Sequence, residues 1–309
     1  MHVILGAGGP VSNALTHKLL QAQQTVKLIS RRPVNIGQAT WAKADLLSYQ
    51  ELSQAVKGAS VIYLCAGLKY DAKVWALQWP LIMRNVIDLA KANSARLIFF
   101  DNVYMYGLVE GKMTEDTPYH PISKKGEVRA KVAEQLMEEA KAGNIQASIG
   151  RAADFYGAQS LNSFYDGMVL AKYAQGGRAM WLGDAATKHS FTYIPDAAEG
   201  MFLLGQHPET DNQIWHLPTA PALSGHDFLE LAARAYAVKT SYIGINKFLL
   251  QLAGVFDPLI RGTVEMYYQY QHDYIFDSSR FERHFGIAPT SYAEGIKEFS
   301  ALLQQLVKP

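Results

Sequence analysis

The chain has 309 residues, 49% of them hydrophobic, and a formal net charge of +1 at pH 7. That length supports a large core in one or two domains, and the near-neutral balance argues against nucleic acid or an acidic membrane surface as partner. Cys65 is the single cysteine, so no intrachain disulfide forms and a cytoplasmic location is expected.

Met1-His2-Val3-Ile4-Leu5 is an apolar run that feeds directly into Gly6-Ala7-Gly8-Gly9-Pro10-Val11-Ser12. An opening strand leaves no room for a signal peptide. Leu15, Leu19 and Leu20 follow at helical spacing. Strand, glycine turn and helix is the arrangement that sets a diphosphate on a helix N-terminus, whose first N–H groups have no internal partner.

Strand and helix patterns then alternate. Thr25–Ser30 reads as a strand ending in Arg31-Arg32, and Thr40–Ala44 as a shorter one closing on Asp45-Leu46. Residues 48–57 read as helix, and Ser60–Leu64 as a strand leading to Cys65-Ala66-Gly67. A long helix fits within 72–92, bent near Pro80. Arg96–Phe100 is a strand running into Asp101-Asn102. A helix covers about 122–142, and Gln146–Gly150 is the next strand. Near-continuous apolar strands between amphipathic helices predict a parallel sheet covered on both faces, in a doubly wound α/β Rossmann fold.

After Arg151 the rhythm changes. A helix is expected over 162–176, a strand over Phe191–Ile194, a helix from Pro195 and a strand over Ile214–Leu217. From Ser224 onward helices are expected at about 224–237, 245–257, 262–271 and 291–307. The longest apolar stretch, Phe248–Ile260, is too short to span a bilayer and carries Asp257, so it reads as a buried or partner-facing helix. The division expected is a dinucleotide-binding domain of 1–155 plus about 191–218, and a smaller helix-rich substrate lobe of 156–190 and 219–309.

Several segments together resemble the extended short-chain dehydrogenases/reductases of the NAD-dependent epimerase/dehydratase family. Gly6-x-x-Gly9-x-x-Ser12 is similar to the family's glycine motif. Val103-Tyr104-Met105-Tyr106-Gly107 resembles its "VYG" turn. Gly150-Arg151 through Tyr156-Gly157 resembles its "RxxxxYG" segment, and Phe191 through Ala198 its "FxYVxDVA" segment. The resemblance implies that Gly6, Gly8, Gly9, Pro10 and Val11 hold the diphosphate, with Asp45 and Leu46 at the adenine. Cys65, Ala66, Gly67 and Asp101 would lie along the rest of the cofactor.

Enzymes of this type that use NAD end the second strand with an acid for the ribose 2′-hydroxyl; a 2′-phosphate calls for cations instead. Here that position reads Ser30-Arg31-Arg32, which points to NADP, with NAD the lesser alternative. A solvated strand end is the other reading of the two arginines.

The catalytic pattern departs from the family. Its chemistry uses Tyr-x-x-x-Lys on one helix and a Ser or Thr after the fifth strand. Anchoring the helix on Glu134 puts Gly126 at the tyrosine position, Ala130 at the lysine position and Asn102 at the Ser/Thr position. A shift of one residue brings in Lys131 but sets Glu127 in place of tyrosine. This resembles the atypical branch of the family, which includes NmrA-like redox sensors and isoflavone-reductase-like enzymes. Asn102, Tyr104 and Lys131 are the candidate catalytic residues; Tyr106, Arg129, Asp154 and His189 are the candidate substrate contacts. The bland alternatives are a solvated helix face for Arg129 and Lys131, a core position for Tyr104, and a surface position for His189.

The histidines show no metal-binding spacing, so no metal is expected. The tyrosine-rich stretch Tyr267–Tyr274 reads as pocket lining, subunit contact or a cap on the lobe. The reading that results is an NADP-dependent oxidoreductase or isomerase acting on a small carbonyl, hydroxyl or sugar-like substrate. Its alternative is a non-catalytic NADP-binding sensor of the NmrA-like kind. Neither nucleic acid nor membrane is an expected partner. A homodimer through the 72–92 and 122–142 helices is what the resemblance implies.

Overall fold

A computed structural model describes residues 1–157 and 165–307, which divide into two compact units. The first unit comprises Met1–Gly107, Tyr119–Ala152 and Ala197–Leu217. Its seven strands are β1 (His2–Leu5), β2 (Val26–Ser30), β3 (Thr40–Lys43), β4 (Val61–Leu64), β5 (Arg96–Asp101), β6 (Ala147–Arg151) and β7 (Ile214–His216). They form one sheet in the order β7-β6-β5-β4-β1-β2-β3, parallel throughout. The expected doubly wound sheet is present, and its order reverses between β4 and β1, where such sheets bind ligands at the strands' carboxyl ends.

The helices of this unit are α1 (Pro10–Gln21), α2 (Tyr49–Ala55), α3 (Ala72–Asn93), α4 (Lys124–Lys141) and α5 (Ile194–Gln206), whose first turn belongs to the second unit. Their starts follow from local chemistry. Ser48, Asp71 and Ser123 each accept a first-turn N–H at α2, α3 and α4, worth about 1 kcal/mol apiece. The third helix continues through Pro80 to Asn93 and closes on Ser94 in the left-handed conformation. Val3, Leu5, Ile62, Leu64, Leu97 and Phe99 lose all solvent contact against the inner faces of α3 and α4. That two-sided burial is why the strands read as unbroken apolar runs rather than alternating ones.

The second unit comprises Leu108–Pro118, Ala153–Asp196 and Pro218–Pro309. Its strands are short and paired in twos. Asp154–Tyr156 runs beside Phe191–Tyr193, Ala179–Leu182 beside Tyr242–Ile245, and Lys112–Met113 beside Ile275–Phe276. Lys188–His189 pairs antiparallel with Leu223–Ser224. Its labelled helices are α6 (Gly225–Ala235), α7 (Lys247–Gly254), α8 (Pro258–Val264), α9 (Ser279–Phe285) and α10 (Tyr292–Val307).

Three expectations change here. The helix expected over 162–176 is a π-helical turn, Asp166–Leu170, followed by one α-turn, Ala171–Ala174; positions 162–164 lie outside the described residues. The helix expected over 245–257 ends at Gly254, because Asp257 caps a new helix that Pro258 begins. The helix expected over 262–271 is the end of α8 and a 3₁₀ turn, Tyr267–Tyr270. Tyr267, Tyr270 and Tyr274 are buried in this unit's aromatic core, so the tyrosine-rich stretch caps the lobe from within.

The second unit also carries a pH-sensitive contact. Burial works to raise the Asp277 carboxyl, but hydrogen bonds from Ser279 and Lys112 outweigh it and hold it at about 2. The group is lowered on folding, so its contribution to stability is complete above the ordinary aspartate range and fades as pH falls from about 4 toward 2. Asp277→Asn should therefore lower the unfolding temperature at pH 7. The gap from the parent should narrow steadily in thermal scans below pH 4; a constant gap across that range would refute the assignment.

Candidate functional site

The glycine turn joins β1 to α1 and is shaped by two left-handed glycines, Gly6 at φ +82° and Gly8 at φ +100°. Its start is pinned to the neighbouring strand: Gly6 N and Ala7 N both donate to the Ile29 carbonyl, at 3.0 and 3.1 Å. A Cβ on Gly6 would stand 2.5 Å from Ala66 Cα and 2.7 Å from Ala66 N, so the β1 and β4 turns meet backbone to backbone. Ser12, at the third glycine's position, is buried and donates to the Gly9 carbonyl at 2.8 Å. That internal bond is how a serine fits where the family keeps glycine. The Gly9 N-cap makes no side-chain bond and Pro10 has no N–H. The N–H groups of Val11 and Ser12 thus head an uncapped helix, the feature that suits a diphosphate.

The turns around this loop are arranged unequally. Arg31 and Arg32 are exposed after β2. Ser30, expected with Arg31 and Arg32 at the cofactor, donates to the Arg32 carbonyl at 2.5 Å and accepts from Trp41 Nε1 at 3.0 Å. Asp45 Oδ1 accepts from Leu47 N at 3.0 Å, and the Leu46 carbonyl accepts from Asn85. The Cys65 thiol is buried, which pushes it up to about 12, and its N–H bonds to Leu5. Cys65 therefore contributes backbone shape rather than a reactive sulfur. Gly67 is exposed at the loop's crest.

A second cluster gathers beyond the carboxyl ends of β4 and β5, which are adjacent strands. Tyr70 donates to the Tyr104 hydroxyl at 3.2 Å. The Tyr104 ring stacks on Trp75 with centroids 6.2 Å apart, and the Lys125 ammonium lies 4.1 Å from the Tyr70 ring centre. Both tyrosines are half-buried, whereas Lys125 is fully buried in the first turn of α4. Lys131, the expected catalytic lysine, is exposed on another face of that helix. The correction follows from helical period: residues 125 and 131 are about 120° apart around the axis. Asn102 Oδ1 accepts the Tyr104 N–H at 3.0 Å and shapes the turn that presents Tyr104.

Gly126, which the resemblance sets at the family's tyrosine position, has no room for a side chain. A Cβ on Gly126 would lie 2.5 Å from the Tyr104 carbonyl oxygen and 3.0 Å from Pro121 Cβ and Ser123 Oγ. The space a tyrosine would enter is filled by the Tyr104 backbone.

From the sequence, Asp101, Arg129 and Tyr106 are expected to face ligands; the structure commits them to one another and to Arg151. Asp101 accepts from Arg129 Nε at 2.6 Å and again from the same guanidinium's Nη2, and Arg151 Nε stands 3.5 Å from its other oxygen. Arg151 also donates to the hydroxyls of Tyr106, at 2.7 Å, and Tyr119. Tyr106 reaches His216 Nε2 at 2.8 Å. Arg129 packs over Trp79 and Phe99, 4.3 and 4.8 Å from the ring centres. Neither arginine is a solvated surface residue. Tyr70, the buried Lys125 and the Arg151 hub escape sequence reasoning as site features, since only the fold brings their distant segments together.

In the second unit His189 is buried, not at the surface. Its Nε2 pairs with Asp154 at 3.0 Å, and its ring stacks on Tyr270 and Tyr274. Tyr270 also donates to Asp154, at 3.3 Å. The Asp154 and His189 candidates are therefore joined, with Asp154 the more accessible of the two. Among the described residues no three His, Cys, Asp or Glu side chains gather as a metal site. No described helix is long and apolar enough to cross a membrane.

Comparison with known proteins supplies the context. Residues 2–217 match the model of the NAD dependent epimerase/dehydratase family. N-acetyl-alpha-D-glucosaminyl-diphospho-ditrans,octacis-undecaprenol 4-epimerase from Escherichia coli O157:H7 is 24% identical over 204 residues. That match covers 64% of this chain and spans 60% of the relative's own length. Among solved structures, UDP-glucose 4-epimerase from Thermus thermophilus, in complex with NAD, superposes with a TM-score of 0.81 at 14% identity, covering 99% of this chain and all of that one. A dTDP-glucose 4,6-dehydratase from Streptomyces venezuelae, solved with NAD bound, gives 0.80 at 15% identity, covering 99% and 97%. At such identities the structures establish a shared fold.

Proposed function

This chain belongs to the NAD dependent epimerase/dehydratase family, and on that premise we propose that it is an NADP-dependent oxidoreductase or isomerase with a rebuilt acid–base group. The observation that carries the reading is the Tyr70–Tyr104 hydroxyl pair beside the buried Lys125, in the segments that follow β4 and β5 and in the first turn of α4. Gly6, Gly8 and Gly9, with the N–H groups of Val11 and Ser12, would hold the diphosphate. Asp45 and Leu46 would border the adenine, and Ala66 and Gly67 the far end of the cofactor. Arg31 and Arg32 would meet a 2′-phosphate, where no acid competes with it. A nicotinamide bound there supplies hydride transfer.

The chain's own contribution is proton handling. Tyr104 gives or takes the proton of a substrate hydroxyl or carbonyl oxygen. Tyr70 donates to the same phenol oxygen and stabilises it when it is charged. A buried ammonium alongside favours the phenolate, which is the electrostatic task of the family's lysine. The substrate class is a small carbonyl or hydroxyl compound, with sugars carried on a diphosphate included on the strength of the relatives' named substrates.

The test is NADPH oxidation by the purified chain with a panel of aldehydes, ketones and sugar diphosphates, alongside fluorescence titration of NADPH and NADH. Tyr104→Phe and Lys125→Met should lose roughly 10²–10⁴-fold in turnover while keeping cofactor affinity. Tighter binding of NADH than NADPH would end the NADP assignment. Tight NADPH binding with no turnover on any substrate would favour the sensor reading, which the closed Gly126 position supports.

A further inference from the structure

A third cation stands beside the arginine turn that follows β2, and no sequence pattern singles it out. Lys43 is the last residue of β3 and lies in register with Ser30, the last residue of β2. In-register residues of parallel strands project to the same face of the sheet, as do residues two apart on one strand. Ser30, Trp41 and Lys43 therefore share a face at the carboxyl edge, in keeping with the Trp41 Nε1 bond to Ser30 Oγ at 3.0 Å. Lys43 is exposed, as are Arg31 and Arg32 directly after Ser30. The fold itself does not pair these cations. Among the described residues no carboxylate forms an ion pair with Arg31, Arg32 or Lys43. The acids next along the chain are turned to backbone: Asp45 Oδ1 accepts from Leu47 N at 3.0 Å, and Glu51 Oε2 accepts from Asp45 N at 2.9 Å. Like charges on neighbouring strands cost stability, and an anion between them relieves that cost.

The turn that carries the arginines is braced from two sides. Ser30 Oγ donates to the Arg32 carbonyl at 2.5 Å, which closes the turn, and Trp41 holds Ser30 in place from β3. The one hydroxyl proton of Ser30 is thereby committed to backbone, so Ser30 shapes the turn. Beyond the arginines the chain folds back onto the opening loop. A Cβ built on Gly8 would stand 3.1 Å from Val34 Cγ2, so the residues after Arg32 pack on the glycine turn that suits a diphosphate. The arginine turn is set by contacts to β3 on one side and to the glycine turn on the other.

We infer that Lys43 binds the 2′-phosphate of NADP together with Arg31 and Arg32, and that Trp41 and Ser30 are positioning residues that fix the arginine turn for it. The inference rests on the proposed NADP site and adds to it a cation from β3. A phosphate monoester carries about two negative charges at neutral pH and has several acceptor oxygens, so it accepts from more than one cation at once. A ribose 2′-hydroxyl offers none of that charge. Lys43 therefore discriminates between the two cofactors and contributes little to holding either one by its diphosphate.

The experiment is fluorescence titration of the full chain with NADPH and NADH, and calorimetric titration with adenosine 2′,5′-bisphosphate, 5′-AMP and inorganic phosphate. The parent should bind NADPH more tightly than NADH, and the bisphosphate more tightly than 5′-AMP, with both preferences shrinking in high salt. Lys43→Gln should lose at least about fivefold in affinity for the two 2′-phosphorylated probes, with NADH and 5′-AMP unchanged. Trp41→Phe, which keeps a ring but removes the N–H, and Ser30→Ala should each narrow the NADPH preference by roughly threefold. A parent that does not prefer NADPH ends the NADP reading itself, and the inference with it. A parent that prefers NADPH while Lys43→Gln keeps the full preference overturns the inference alone, because the two arginines then suffice. Equal weakening of NADPH and NADH in Trp41→Phe and Ser30→Ala overturns the positioning role. Inorganic phosphate binding as tightly as the bisphosphate also overturns the inference, since the cations then form a general anion patch.

Discussion

Replacing Asp101 by asparagine should lower the unfolding temperature of this protein by about 10 °C. The residue sits at the end of β5 with its side chain wholly withdrawn from water, between the buried guanidiniums of Arg129 and Arg151. Two cations share one carboxylate there. Asparagine keeps the shape and an accepting oxygen but removes the charge that balances them. Breaking a buried pair from one side costs about 3–5 kcal/mol, because the remaining charge stays in a medium of low dielectric. At roughly 2–4 °C per kcal/mol for a unit of this size, the expected drop follows. The partner substitution should behave differently. Arg129→Met removes the surplus cation and leaves Asp101 facing Arg151, while an apolar chain still fills the space against Trp79 and Phe99. It should cost no more than about 1.5 kcal/mol, as volume-conserving swaps do. Thermal and urea unfolding of both variants decide the matter. Equal losses would show that Arg129 acts through its own bonds and not as one of two competing charges.

The same cluster shows where sequence reasoning stops. The parallel sheet was legible because burial on two faces leaves continuous apolar strands, such as Val61–Leu64 and Leu97–Phe99. The glycine turn was legible because a strand and a helix flank it at short range. Asp101 was legible as a residue at the carboxyl end of a strand, a position that usually faces ligands. What could not be read was its use: Arg129 lies 28 residues away on α4 and Arg151 lies 50 away on β6, and only the sheet order places all three together. The same holds for Lys125 against Lys131. Both are lysines in one charged stretch, and the choice between them depends on which side of α4 meets the sheet. A one-residue shift from the family's spacing brought in Lys131, while packing selects Lys125. The second unit was less legible still. Its strands are two to four residues long, too short to show a period, and Pro258 divides what hydropathy alone presents as a single helix.

Gly6 and Gly58 offer a matched pair that separates backbone conformation from close approach. Both have φ near +80°, at +82° and +81°. An alanine at either position therefore pays the left-handed penalty, about 1–2 kcal/mol. They differ in surroundings: nothing lies within 4 Å of a Cβ built on Gly58, whereas a Cβ on Gly6 meets the Ala66 backbone at 2.5 and 2.7 Å. Backbone cannot swing aside as a side chain can. With Gly6 N and Ala7 N held to Ile29, the strain must move either the Cys65–Gly67 turn or the start of α1. Each of these is a wall of the proposed dinucleotide site. Gly58→Ala should therefore lower the unfolding temperature by a few degrees and leave the NADPH dissociation constant unchanged. Gly6→Ala should lose at least about 100-fold in NADPH affinity, equivalent to about 2.7 kcal/mol, on top of a similar thermal shift. Fluorescence titration of both variants checks the pair. If Gly6→Ala binds NADPH as tightly as Gly58→Ala does, the backbone approach of the two turns does not shape the cofactor site, and the assignment of the opening loop falls with it.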